Sequence, residues 1–362
     1  MVARCPTAPS NKKSAAKKLI DPHRFTTVGL RDRTRPSETI ELSGNLELIM
    51  KSQYREDGDT APTSAFLTDD PLEILRYACD SFISGVPVAL ATLVEIRGGA
   101  ARSLGAQMTV RLDGLYCGFV SGGCTEASVA AEAIEALRVG HDRYLSLGEG
   151  SRFFDIVLPC GGGIRLAIHV LRDVRAIQQV LATVGIRRAG SLLYRPQAED
   201  ITFNPTSRLG WEEDGFSILY RPSTNIFLFG GKLEAEATRR VAESAGYKVK
   251  LIDQTNARGI PELEIDEFSA VAMLFHDIDH ELPILEKALE SRAFYIGALG
   301  SSRTNAKRSE ALRHRGYTDT EIARIKAPIG IFDKARDAPS IALSVVADIA
   351  SVAARIRTSL VS

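Results

Sequence analysis

From Ile226 onward the chain alternates short apolar runs with amphipathic stretches, and no other feature constrains its fold as strongly. Ile226 to Phe229 reads as a buried strand, Gly230-Gly231 as a tight turn, Leu233 to Ser244 as a helix, and Lys248 to Ile252 as a second strand closed by Asp253. Ala270 to Phe275 and Phe294 to Gly297 repeat the apolar pattern, and a long helix from Pro339 to about Arg357 ends it. Parallel strands require helical crossovers of this kind, so residues 223–362 are expected to form a Rossmann-like domain with a mostly parallel sheet. The dinucleotide fingerprint is incomplete. Gly230-Gly231-Lys232-Leu233-Glu234-Ala235 has one glycine pair, no third glycine, and a carboxylate at Glu234 where a pyrophosphate would rest. Asp253 occupies the place of the ribose-binding acid.

Ligands of open parallel sheets gather at the carboxyl ends of strands. That rule nominates His276 and Asp277 after one strand, and Gly300, Ser301 and Arg303 after the next, where glycine, serine and arginine at a helix start suit an anion. His276 and His280 do not share one helix face, so a metal site built on this pair is not expected.

The first half reads as α+β over residues 65–200. Asp69-Asp70-Pro71 starts a helix through Ile83, and Val86 to Ile96 is a β-branched apolar run fit for burial on both faces. It empties into Arg97-Gly98-Gly99-Ala100-Ala101-Arg102-Ser103-Leu104-Gly105, a loop able to wrap an oxyanion, with Arg102 as the candidate contact. A hairpin across Asp113-Gly114 then delivers Ser121-Gly122-Gly123-Cys124 to the start of a helix that stops at Gly140. Bare backbone N–H groups at that corner suit an anion, and the helix field favours a Cys124 thiolate; the competing reading is a small buried hydrophobe beside a tight turn. Leu158-Pro159-Cys160-Gly161-Gly162-Gly163 makes a second such turn. No paired cysteine accompanies either, which argues against a closed zinc site. Residues 201–222, polar and rich in proline and glycine, are expected to be a linker.

Met1 to Ser37 holds nine Lys or Arg and two acidic residues without periodicity, and residues 1–64 are expected to be a disordered leader. Across the chain Lys+Arg and Asp+Glu are both 45, so no basic field argues for nucleic acid. No apolar run approaches a membrane span, and five scattered cysteines suit a reducing compartment; a soluble cytoplasmic protein is the expectation.

In order along residues 70–355, these motifs resemble the XdhC/CoxI family, accessory factors of xanthine dehydrogenase and related molybdenum hydroxylases. The resemblance is carried by Val120-Ser121-Gly122-Gly123-Cys124, Leu158-Pro159-Cys160-Gly161-Gly162, His276-Asp277 with Asp279-His280, Tyr295 to Ser301 with Arg303, and Ala327-Pro328-Ile329-Gly330. It implies an α+β domain followed by a Rossmann-like domain, often as a homodimer. It also implies binding of molybdenum cofactor, a phosphorylated pterin dithiolene, its sulfuration through a cysteine desulfurase, and delivery to the apo-hydroxylase. Under that reading Cys124 is a molybdenum contact or sulfur relay, and Arg102, Ser121, Gly122, Gly123, Cys160, Gly161, Gly162, Asp253, His276, Asp277, Gly300, Ser301 and Arg303 hold the cofactor. The alternatives are an NAD(P)-dependent oxidoreductase and a nucleotide-sensing module.

Overall fold

The computed structural model describes residues 61–123, 125–148, 161–206, 208–252, 263–275 and 277–358. The first half is built on a six-stranded sheet of β1 (Thr63–Ser64), β2 (Val88–Arg97), β3 (Gln107–Arg111), β4 (Leu115–Gly118), β5 (Arg143–Gly148) and β6 (Gly163–Val170), in the order β1-β4-β3-β2-β6-β5. Helices α1 (Pro71–Ile83), α2 (Glu126–Val139) and α3 (Arg175–Gly185) cover it. Because side chains alternate along a strand, β2 divides its apolar residues between two cores. Ala89, Ala91 and Leu93 pack with Val129, Ala133 and Leu137 of α2. Val88, Leu90 and Val94 pack with Leu75 of α1 and Ile177 of α3.

That second core is completed by the stretch expected to be a linker, which is a sheet. Strands β7 (Gly190–Arg195), β8 (Asp200–Asn204), β9 (Gly210–Trp211) and β10 (Phe216–Tyr220) pair antiparallel in the order β8-β7-β10-β9. Phe216, Ile218 and Tyr220 are buried against β2 and α3, Trp211 Nε1 donates to Val94 O at 3.1 Å, and Tyr220 Oη donates to Gln107 Oε1 at 2.5 Å. The polar composition that suggested a linker reflects edge strands and turns: every residue of β8 is only half-buried.

The second half is a five-stranded parallel sheet of β11 (Asn225–Gly230), β12 (Lys248–Ile252), β13 (Ser269–Leu274), β14 (Tyr295–Ala298) and β15 (Ile325–Lys326), in the order β12-β11-β13-β14-β15. Helices α4 (Lys232–Ser244), α5 (Ile278–Glu290), α6 (Ser302–His314), α7 (Asp319–Ile322) and α8 (Ala338–Thr358) follow its strands. On one face Ile226, Leu228, Ala270 and Ala272 pack with Ala235 and Ala242 of α4 and Ile341, Val345 and Ile349 of α8. On the other, Phe227, Phe229, Val271 and Met273 pack with α5 and α6. This is the doubly wound Rossmann arrangement expected from the alternation. By length and composition α8 could cross a membrane, with a mean hydropathy of 1.5 over its apolar window; here its apolar face covers the sheet.

Two interactions fix the carboxyl edge of this sheet. Arg308 of α6, 1% exposed, makes a bidentate pair with Glu281 of α5 at 2.9–3.0 Å and donates to Leu299 O at 2.8 Å. Asp348 of α8 accepts from Tyr295 Oη at 2.6 Å and Gly330 N–H at 3.1 Å and pairs with Lys326. Removing one partner of a buried charge pair strands the other. Glu281→Ala is expected to lower unfolding free energy by about 3–5 kcal/mol in a urea titration, and the Glu281→Leu, Arg308→Met double variant by markedly less.

Candidate functional site

Three glycine-rich turns meet at one end of the six-stranded sheet. The registers Arg97–Gly163, Gly148–Gly163, Thr92–Gln107 and Met108–Gly118 place the ends of β2, β4 and β5 beside the starts of β3 and β6. The loop after β2 runs between the other two turns. A β-carbon on Gly162 would collide with the carbonyl oxygens of Gly99 and Arg97, and one on Gly98 would lie 3.6 Å from Gly162 Cα. On the other side, a β-carbon on Gly122 would lie 3.1 Å from that of Ala101. Contact this close leaves no room for a side chain at Gly162 and little at Gly122. Arg102, in the same loop, pairs with Asp69 at 2.9 Å, and its guanidinium stands 5.4 Å from the Phe119 ring centroid. The structure thus gathers Arg102, Ser121, Gly122, Gly123, Gly161 and Gly162 into one cluster; Cys124 and Cys160 lie outside the described residues.

The corner before α2 is not bare. Glu126, at the first position of the helix and 3% exposed, turns its carboxylate back into the turn. It accepts N–H groups from Val120 (3.1 Å), Ser121 (2.8 Å), Gly123 (2.9 Å) and Thr125 (3.2 Å), and the Ser121 hydroxyl at 2.8 Å. Gly122 and Gly123, at φ 90° and 112°, give the left-handed backbone that aims these donors inward. Burial pushes the Glu126 carboxyl up, but the Ser121 amide and hydroxyl, with further backbone donors, outweigh it and hold the group below the usual carboxylate range. The expectation of free amides at this corner is therefore corrected for Val120, Ser121, Gly123 and Thr125, whose N–H groups an internal anion uses. Sequence reading missed Glu126, although its spacing of three from Gly123 is that of a back-reaching carboxylate at a helix start. The Thr125 hydroxyl is buried without a hydrogen-bond partner among the described residues.

The other candidates lie at the carboxyl edge of the parallel sheet. Asp277 caps α5, accepting from Asp279 N–H at 3.0 Å and meeting His280 Nδ1 at 2.9 Å. The His280 contact, first among the causes, keeps the Asp277 carboxyl below its ordinary value. Ser301 caps α6 through Thr304 N–H at 3.2 Å, Gly300 precedes it, and Arg303 is exposed on the first turn. Since β13 and β14 are neighbours, the two caps share one edge. Asp253 and His276 lie outside the described residues. At the start of α4, a Glu234 carboxylate oxygen lies 3.6 Å from the β-carbon position of Gly231, where a dinucleotide would place its pyrophosphate. Among the described residues no group of three His, Cys, Asp or Glu is placed to hold a metal ion. The glycine cluster and the sheet edge are two separate sets on different sheets.

A doubly wound parallel sheet following an α+β half with converging glycine turns defines a two-part class of α/β protein. Residues 226–349 match the XdhC Rossmann domain and residues 83–148 match the XdhC and CoxI family. The chain is 49% identical over 292 residues to the molybdenum cofactor insertion chaperone PaoD of Escherichia coli (strain K12), covering 80% of this chain and 91% of that one. It is 25% identical over 316 residues to a probable xanthine dehydrogenase subunit from Bacillus subtilis (strain 168), covering 74% and 93%. A crystal structure described as a xanthine dehydrogenase from Bacillus halodurans shares the fold with a TM-score of 0.62 at 18% identity, over 79% of this chain and 96% of that one. The chain belongs to the XdhC and CoxI family.

The junction makes a graded prediction. Gly162→Ala must push two carbonyls apart and is expected to cost about 1–3 kcal/mol of stability in urea unfolding. Gly123→Ala meets no atom within 4 Å. It is expected to cost only about 1–2 kcal/mol, for its left-handed backbone.

Proposed function

We propose that this protein is an accessory factor that carries molybdenum cofactor as cargo. It supports sulfuration of that cargo and delivers it to an apo-hydroxylase of the xanthine dehydrogenase type. The observation that carries this reading is the convergence of three glycine turns with Arg102 on one sheet edge, in a chain so similar to a molybdenum cofactor insertion chaperone. Exposed backbone at Gly122, Gly123 and Gly161 lets a flat, bulky pterin lie against the turns, and the Arg102 guanidinium offers its phosphate paired N–H donors. Cys124 and Cys160 are the proposed sulfur contacts, Cys124 touching the molybdenum or relaying sulfur from a cysteine desulfurase. The working unit in this reading is a cytoplasmic homodimer. Asp253, His276, Asp277, Gly300, Ser301 and Arg303 form a second contact surface for the cargo on the Rossmann-like half.

The reading is tested by retention. Purified protein is expected to hold the pterin and molybdenum in near-equal amounts through gel filtration. Cys124→Ala is expected to lose molybdenum retention, and Arg102→Ala to weaken pterin binding by about tenfold or more. No retention by the parent protein would sink it.

The βαβ unit favours a second reading, use of NAD(P) in oxidoreduction or nucleotide sensing. Glu234 opposes it, because a carboxylate stands where the pyrophosphate would need donors. Calorimetric titrations with NAD and NADP are expected to be flat for the parent protein; saturable binding would move the weight to this reading.

A further inference from the structure

We infer that Glu126 is a positioning residue that fixes the backbone on both sides of Cys124 from within and closes that turn to phosphate and other oxyanions. In consequence, anion recognition in the glycine cluster falls to Arg102. The assignment of the cargo's phosphate to Arg102 rests on the proposed function; the closure of the turn does not. Left-handed glycines before a helix start ordinarily make an anion nest. Here a side-chain carboxylate already occupies it. Four N–H groups and one hydroxyl converge on a single carboxylate that is almost wholly buried. An incoming phosphate would have to expel that carboxylate from its five bonds or approach its fixed negative charge. Hydrogen bonds to a charged group are worth about 1.5–3 kcal/mol each, so expulsion is out of reach for a solvent-exposed ligand. Arg102 is the opposite case. Its partner Asp69 is largely exposed, and surface pairs of this kind exchange at little cost.

Charge and acceptor number matter here more than packing, which makes the isosteric change informative. In Glu126→Gln one oxygen still serves Val120 and Ser121, but the new amide group points hydrogens at the donors of Gly123 and Thr125. The test is hydrogen exchange read by mass spectrometry on the full chain, with and without excess inorganic phosphate. In the parent protein the peptide covering residues 119–126 is expected to exchange slowly, with phosphate making no difference. In Glu126→Gln that peptide is expected to exchange about tenfold faster or more, and phosphate to slow it again by accepting from the Gly123 and Thr125 N–H groups that the amide leaves unpaired. A residue of merely structural importance would show no such phosphate response. Glu126→Asp, which keeps the charge on a shorter arm, is expected to give intermediate exchange and no phosphate response, and it keeps the question open to measurement if the glutamine variant fails to fold. Phosphate-dependent exchange of this peptide in the parent protein would overturn the inference, as would a glutamine variant indistinguishable from the parent. Neither arm uses molybdenum cofactor, so failure of the cargo reading leaves this result standing and the converse holds.

Discussion

The burial of β2 on both faces is the constraint from which the first half follows. A strand whose residues serve two cores cannot present a side chain to solvent along most of its length, so its chemistry must be displaced to its end. That end is Arg97, and beyond it the chain has to turn within a space already bounded by the starts of β3 and β6 and the end of β4. Glycine is what lets three turns share that space: at Gly162 the backbone of one turn sits where any side chain would strike another. The second sheet has a structural rather than a connecting role. Without Phe216, Ile218 and Tyr220, the face of β2 toward α1 and α3 would be half open to water.

Buried acids do the shaping that the glycines permit. Glu126 gathers the amides of the turn before α2, Asp348 ties Gly330 and Lys326 to α8, and Glu281 holds Arg308, which in turn holds Leu299. In each case a carboxylate from a helix fixes a loop at a sheet edge. An ionised group in such a place persists only when its oxygens are satisfied, and here each is. These edges are therefore preformed, which reduces the ordering cost of receiving a ligand.

Much of this was legible in the residues. Hydrophobic period and turn chemistry located β2, the β3–β4 hairpin, and the alternation from β11 to α8, because long apolar runs between glycines leave few alternatives. The Arg102 loop and the two glycine turns were legible one by one as loops suited to an anion. What proves the meeting is the contact of Gly162 with Gly99 and of Gly122 with Ala101, and both depend on strand register far away in sequence. Strands β8 to β10 escaped notice for a different reason. Edge strands with Asn204, Pro205, Gly210 and Gly215 between them carry little alternation, so tertiary packing overrides a weak local signal. Glu126 was hidden by convention, since an acid in the first helical turn reads as a favourable dipole contact. Arg308 had no local signal at all: its partner Glu281 is on another helix.

In the proposed role the chain must hold its cargo and also give it up, and the two sheet edges would divide those demands. The first offers a rigid floor of backbone, fixed by Glu126, with an exchangeable cation in Arg102. In that role such a floor would bind by shape and by a single charge, so dissociation would not require unmaking a cage. The second offers helix caps already occupied by their own side chains, Asp277 with Asp279 and His280, and Ser301 with Thr304. Occupied caps bind anions weakly, and Arg303, exposed on the first turn of α6, adds a solvated charge there.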